Sequence, residues 1–96
     1  MTTNPYTYAV EVTGSPTLLI DDETEPTARE DGRVTYELYN LGPGEVWLGD
    51  DEVTDEAGIP LPVNASRTIA IRLNAKLYGL AYGAAEVADV RVLVVS

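Results

Sequence analysis

An all-β fold follows from two features of the sequence: segments in which apolar and polar residues alternate, and clusters of turn residues between them. In Arg33-Val34-Thr35-Tyr36-Glu37-Leu38-Tyr39, the residues Val34, Tyr36 and Leu38 share one side of an extended chain. Ile69, Ile71 and Leu73 repeat the pattern against Thr68, Ala70 and Arg72. A period of two residues bounded by Gly, Pro, Asn and Asp is the mark of half-buried antiparallel strands. The expected architecture is an antiparallel two-sheet sandwich or small barrel of about seven to eight short strands.

The first segment, Tyr6 to Val12, places Tyr6, Tyr8, Val10 and Val12 inward, and Thr13-Gly14-Ser15-Pro16 is a turn. Thr17-Leu18-Leu19-Ile20 is a short apolar run, read as a strand covered in part on both faces. Asp21 to Gly32 is acidic, broken by Pro26 and without period, which reads as an exposed loop. After Tyr39 the residues Leu41-Gly42-Pro43-Gly44 read as a hairpin turn into Glu45-Val46-Trp47-Leu48. A second turn region, Gly49 to Gly58, leads to Ile59-Pro60-Leu61-Pro62, and Val63 to Ser66 connects to the next strand. Leu77 to Tyr82 is a further strand, in which Gly79 marks a bulge or a close backbone approach. Gly83 to Glu86 turns the chain into Val87 to Val95, with Val90, Val92 and Val94 on one face. Residues 1–5 form a short polar arm, and 6–96 a single domain, since 96 residues suffice for one modest core.

Composition excludes several functions. The hydrophobic share of 45%, with six Tyr and one Trp, is that of a globular chain. No apolar run approaches the length that crosses a bilayer, and no cationic stretch leads into an apolar one as in a signal peptide. There is no Cys and no His, so disulfides, the usual general base and the commonest metal ligand are all missing. The net charge is −10, with 16 acidic residues against five Arg and Lys76. Nucleic-acid binding needs a basic patch, and this chain has none. Two readings fit the acidic surface. One is adaptation to a saline environment, where salt screens self-repulsion; the other is an ordinary acidic surface from a GC-rich genome, which also favours Arg over Lys.

Two acidic clusters suggest a hard cation: Asp21, Asp22, Glu23 and Glu25, then Asp50, Asp51, Glu52, Asp55 and Glu56. Neither has the alternating ladder that places calcium ligands, so both are read as solvated turns that protect strand edges, and no metal or cofactor is expected. Ser15, Ser66 and Ser96 have no candidate base, Gly42-Pro43-Gly44 is followed by neither the lysine nor the helix of a phosphate loop, and Asn64-Ala65-Ser66 fits a glycosylation pattern without a secretory signal. No enzymatic activity is expected. The remaining candidates are aromatic: Tyr6, Tyr8, Tyr39 and Trp47, as subunit contacts or, for outward Trp47 and Tyr39, a sugar platform; the alternative for Trp47 is packing in the core, with Val46 and Leu48 as the partly exposed pair.

From about Val34 to Val95 the order of short motifs resembles a family of small virion proteins of tailed viruses. The motifs are Asn40-Leu41-Gly42, Val46-Trp47-Leu48-Gly49, Val53-Thr54, Gly58-Ile59-Pro60-Leu61, Leu77-Tyr78-Gly79-Leu80 and Val90-Arg91-Val92-Leu93. The chain resembles head decoration, or capsid cement, proteins and related accessory proteins; residues 1–32 carry no part of the likeness. The resemblance implies a β-sandwich without enzymatic activity that oligomerises, often as a trimer, and sits on the capsid exterior bound to the major capsid protein. A salt-loving host fits the acidic surface. The alternatives are a receptor- or carbohydrate-binding module on a virion or cell surface, and a head–tail connector or tail component.

Overall fold

A computed structural model describes residues 6–21, 33–72, 75–83 and 85–94. Over these residues the alternating segments become eight strands: β1 (Tyr6–Thr13), β2 (Thr17–Asp21), β3 (Arg33–Pro43), β4 (Glu45–Gly49), β5 (Ile59–Leu61), β6 (Ser66–Arg72), β7 (Lys76–Tyr82) and β8 (Val87–Val94). They form two antiparallel four-stranded sheets, ordered β1-β8-β3-β6 and β2-β7-β4-β5. The first strand pairs with the last, the second with the seventh, the third with the sixth and the fourth with the fifth. That nested order is a long hairpin rolled on itself, the eight-stranded jelly roll. The expected sandwich is therefore the fold.

The core lies between the sheets and is built by the alternation read in the sequence. Val90, Val92 and Val94 of β8 are fully buried, and their register partners Asn40, Leu38 and Tyr36 on β3 are equally so. Val46 and Leu48 of β4 and Leu61 of β5 supply the opposing layer. On β2, consecutive Leu19 and Ile20 are both buried because the register shifts between Leu18 and Ile20, while Leu18 points out. Gly79 is a close approach, as expected: a Cβ there would lie 2.8 Å from Leu19 Cδ1 and 3.2 Å from Val46 Cγ1. Tyr8 closes one side of the sandwich by donating its hydroxyl to the Leu19 carbonyl at 2.8 Å.

The reading of Gly42-Pro43-Gly44 as a hairpin turn is corrected. β3 and β4 belong to different sheets, so this segment is a corner between layers. Among the described connections, β4–β5 alone joins strands of one sheet. At the corner the Gly42-Pro43 peptide is cis and Gly42 has φ +83°. Gly44 donates to the Val87 carbonyl at 2.9 Å, and a Cβ on it would lie 2.5 Å from the Ala85 carbonyl oxygen. Glycine is required there by close backbone approach.

Asn40 holds this corner and is fully buried. Its amide nitrogen donates to the carbonyls of Gly44 (3.0 Å) and Leu61 (2.8 Å), and its Oδ1 accepts from the Gly42 N–H at 2.8 Å. Its backbone N–H donates to the Ala65 carbonyl at 3.1 Å, and its carbonyl accepts from the Asn64 N–H at 2.6 Å. One side chain thus links β3 of one sheet to β5 of the other.

Asn40→Ala strands a donor and two acceptors in the interior, each worth about 1–3 kcal/mol. We expect a loss of about 3 kcal/mol or more, read as a lower urea midpoint with unchanged slope. Tyr8 gives a second expectation. Burial pushes its phenol from 10.0 up to about 12. The unfolded chain therefore releases this proton first, so the contribution is intact below pH 10 and lost as the pH rises towards 12. Discounted for partial solvent exposure, the loss is about 1 kcal/mol. Urea unfolding at pH 9 and pH 11.5 measures it, and Tyr8→Phe, already weakened by a lost hydrogen bond, shows a shallower decline.

Candidate functional site

The alternation that buries Val46 and Leu48 turns Trp47 to the outside of the β2-β7-β4-β5 sheet, as its phase implied. Register fixes its neighbours. Trp47 lies between Leu80 of β7 and Pro60 of β5. The next outward row along the strands is Leu18, Tyr78 and Gly49; on the other side of Trp47 it is Tyr82 and Glu45. Three rings, two leucines and a proline therefore share one outer face. Leu18 is 39% exposed and Tyr82 50%, whereas Leu80 is 8% exposed beneath its neighbours. Charge on these outward strand positions is confined to the ends: Glu45 at one, and Lys76, opposite Asp21 in register, at the other. In a chain of net charge −10 this is the acid-poor surface.

The 50–58 loop borders the face. Asp50 starts it with a tight turn, its Oδ1 accepting from the Glu52 N–H at 2.9 Å and its carbonyl from the Val53 N–H at 3.1 Å. A second turn follows, in which the Thr54 carbonyl accepts from Gly58 N–H at 2.8 Å. Between the turns Val53 is buried, seated where Gly49 and Gly58 have no side chain: a Cβ on either glycine would lie 2.9 Å from Val53 Cγ2. A Cβ on Gly58 would also lie 2.9 Å from Trp47 Cβ, so the loop packs directly beside the tryptophan. Trp47 Nε1 is enclosed and has no hydrogen-bond acceptor among the described residues. The loop and the Leu48–Ile59 end of the sheet leave a shallow, open hollow that includes Asp50 and Glu52. Among the described residues no three acidic side chains converge as a metal site would require. Asp22, Glu23 and Glu25 of the first cluster, and the Asp21 side chain, lie outside the described residues.

The other sequence candidates are dispersed. Tyr39 is on the outer face of the β1-β8-β3-β6 sheet, on the far side of the sandwich from Trp47, so the two cannot form one platform. Its hydroxyl donates to the Glu37 carboxylate, and that bond raises the Tyr39 pKa. Beside it, Arg91 grips Asp89 through two bonds of 3.1 and 2.9 Å, which lower the Asp89 pKa. Tyr8 faces inward as an inter-sheet tie, and the Tyr6 side chain lies outside the described residues. What the sequence reading missed is that Trp47 is joined by Tyr78 and Tyr82. The signal was present, since Tyr78, Leu80 and Tyr82 alternate with Leu77, Gly79 and Ala81.

If Val53 anchors the loop against the tryptophan, Val53→Ala should cost about 1 kcal/mol or more of stability. It should also raise acrylamide quenching of Trp47, which reports selectively because it is the chain's one tryptophan.

Compared with known protein families, curated proteins and solved structures, the chain matches none.

Proposed function

We propose that this protein is a structural component of a tailed-virus particle. It decorates or stabilises the capsid from outside, bound to the major capsid protein through the outer face of β2-β7-β4-β5. It works as a homo-oligomer, a trimer being the form the resemblance implies. The observation that carries the proposal is the contrast between that face and the rest of the chain. Interface centres are depleted in charge and enriched in Trp and Tyr, and a contiguous apolar patch on a soluble domain marks a contact surface. Here Trp47, Tyr78, Tyr82, Leu18 and Leu80 share one sheet face of a chain with net charge −10.

The motif order lends further support. Asn40-Leu41-Gly42 is the corner that buried Asn40 holds, and Val46-Trp47-Leu48-Gly49 is the strand that presents the tryptophan. The opposite sheet directs Glu11, Glu37 and Asp89 outward, which suits a surface facing solvent. Arg91 shares that face with them, and it is the chain's net charge of −10 as a whole that keeps coated particles apart. Jelly rolls serve many functions, so the fold by itself adds little weight.

A second reading draws on the same face: three rings on two neighbouring strands could stack against a glycan, as a recognition module requires. Cosedimentation with capsid shells separates the two. Leu18→Arg combined with Tyr82→Arg changes exposed side chains and should lower shell binding at least ten-fold, while Tyr39→Arg on the far face leaves it unchanged. Saturable glycan binding, with no shell binding by the wild type, would overturn the proposal.

A further inference from the structure

The four edges of the sandwich are not alike. In the β2-β7-β4-β5 sheet both edges are blunted: β5 has three residues with Pro60 at its centre, and β2 has five and a register shift. Short edge strands, proline and bulges are the devices that stop sheets from joining. The β1-β8-β3-β6 sheet has none of them. β1 runs for eight residues and β6 for seven, both in unbroken register with their inner neighbours and without Pro, Gly or Lys. Among the described residues each is paired on one side only.

We propose that copies of this chain join edge to edge, β6 of one copy pairing with β1 of the next to continue the β1-β8-β3-β6 sheet. Three observations favour this occupant. Alternation of strand direction makes β1 antiparallel to β6, so a second copy in the same orientation extends the sheet with the preferred pairing. Both edges present a half-buried inward apolar residue, Val10 on β1 and Ile69 on β6, which the junction would cover. The sequences of the edges are opposite in charge: β6 contains Arg67 and Arg72 with no acid, and β1 contains Glu11 with no base. With Val10 opposite Ile69, Glu11 falls opposite Thr68 and Arg67 opposite Val12, so this difference favours approach of unlike edges at a distance and forms no opposed ion pair. Matching inward with inward residues allows a centred register that puts Val10 opposite Ile69 and Ala9 opposite Ala70. Such a head-to-tail contact closes into a ring where the rotation permits.

The chain has no cysteine, so crosslinking tests the junction directly. Residues opposed on paired strands have Cβ atoms about 5 Å apart. The double variant Ala9→Cys/Ala70→Cys, treated with a short bismaleimide, should yield covalent multimers that end at the ring size. Each single variant should yield none, and a mixture of the two singles a covalent dimer. In the cysteine-free chain, Ile69→Lys puts a charge into the junction and should reduce the solution mass to a monomer while the far-ultraviolet spectrum stays that of a sheet. The proposal is overturned if the double variant crosslinks no further than the singles. Efficient dimerisation of Ala9→Cys alone, or a wild-type monomer up to about 1 mM, overturns it equally. These measurements use no capsid. A monomer that still binds shells refutes the edge contact alone, and a ring that ignores shells refutes only the proposed function.

Discussion

The jelly roll turns on the amide of Asn40. A chain that changes sheet after β3 must bring carbonyls and an N–H into the interior, where each needs a partner. A planar amide offers two donors and an acceptor from a short stem, and here all three demands are met: the Gly44 and Leu61 carbonyls and the Gly42 N–H. Aspartate has no donors for the two carbonyls, and an aliphatic residue satisfies none of the three groups. Because Leu61 belongs to the opposite sheet, the same contact that stabilises a local corner also sets how the layers are docked. Gly42 and Gly44 follow from it, since the corner passes too close to Val63 and to the Ala85 and Val87 carbonyls for a side chain.

The strands were legible because alternation is a property of neighbouring residues. β1, β3, β6 and β8 show one apolar side each, and their inward residues are those the period picks out. What was not legible depends on distant partners. Gly-Pro-Gly satisfies the local chemistry of a hairpin and of a corner alike, and nothing in it says which sheet receives the next strand. The role of Asn40 rests on Leu61, 21 positions away. In β7 both alternating sets are apolar, Tyr78, Leu80 and Tyr82 against Leu77, Gly79 and Ala81, so parity could not tell the outer face from the core. Trp47 could be sent outward by phase, yet its packing against the 50–58 loop required Val53 to be placed.

The two outer faces divide the work of the surface. On one sheet the outward positions bring Glu37 beside Tyr39 and Asp89 beside Arg91, pairs that moderate charge without removing it. On the other, rings and aliphatic groups replace charges along the middle of the strands. Exposed ion pairs contribute little to stability, whereas a contiguous apolar face gains free energy once something covers it. An acidic domain built in this way remains apart from its neighbours in most orientations and adheres in a few.

The nested pairing also sets when the fold can be completed. β4 and β5 meet across a short stretch of chain, but β1 must wait for β8, whose residues are made last among the described strands. β8 is moreover an inner strand, placed between β1 and β3. During synthesis, at about 5–20 residues per second, the first half of the chain therefore has no finished sheet to join. Pairings this remote in sequence close slowly, since the loop entropy is lost before the contacts form. The acidic residues between and beside the early strands would then serve a second purpose, keeping nascent chains from pairing with one another until Val87–Val94 arrives.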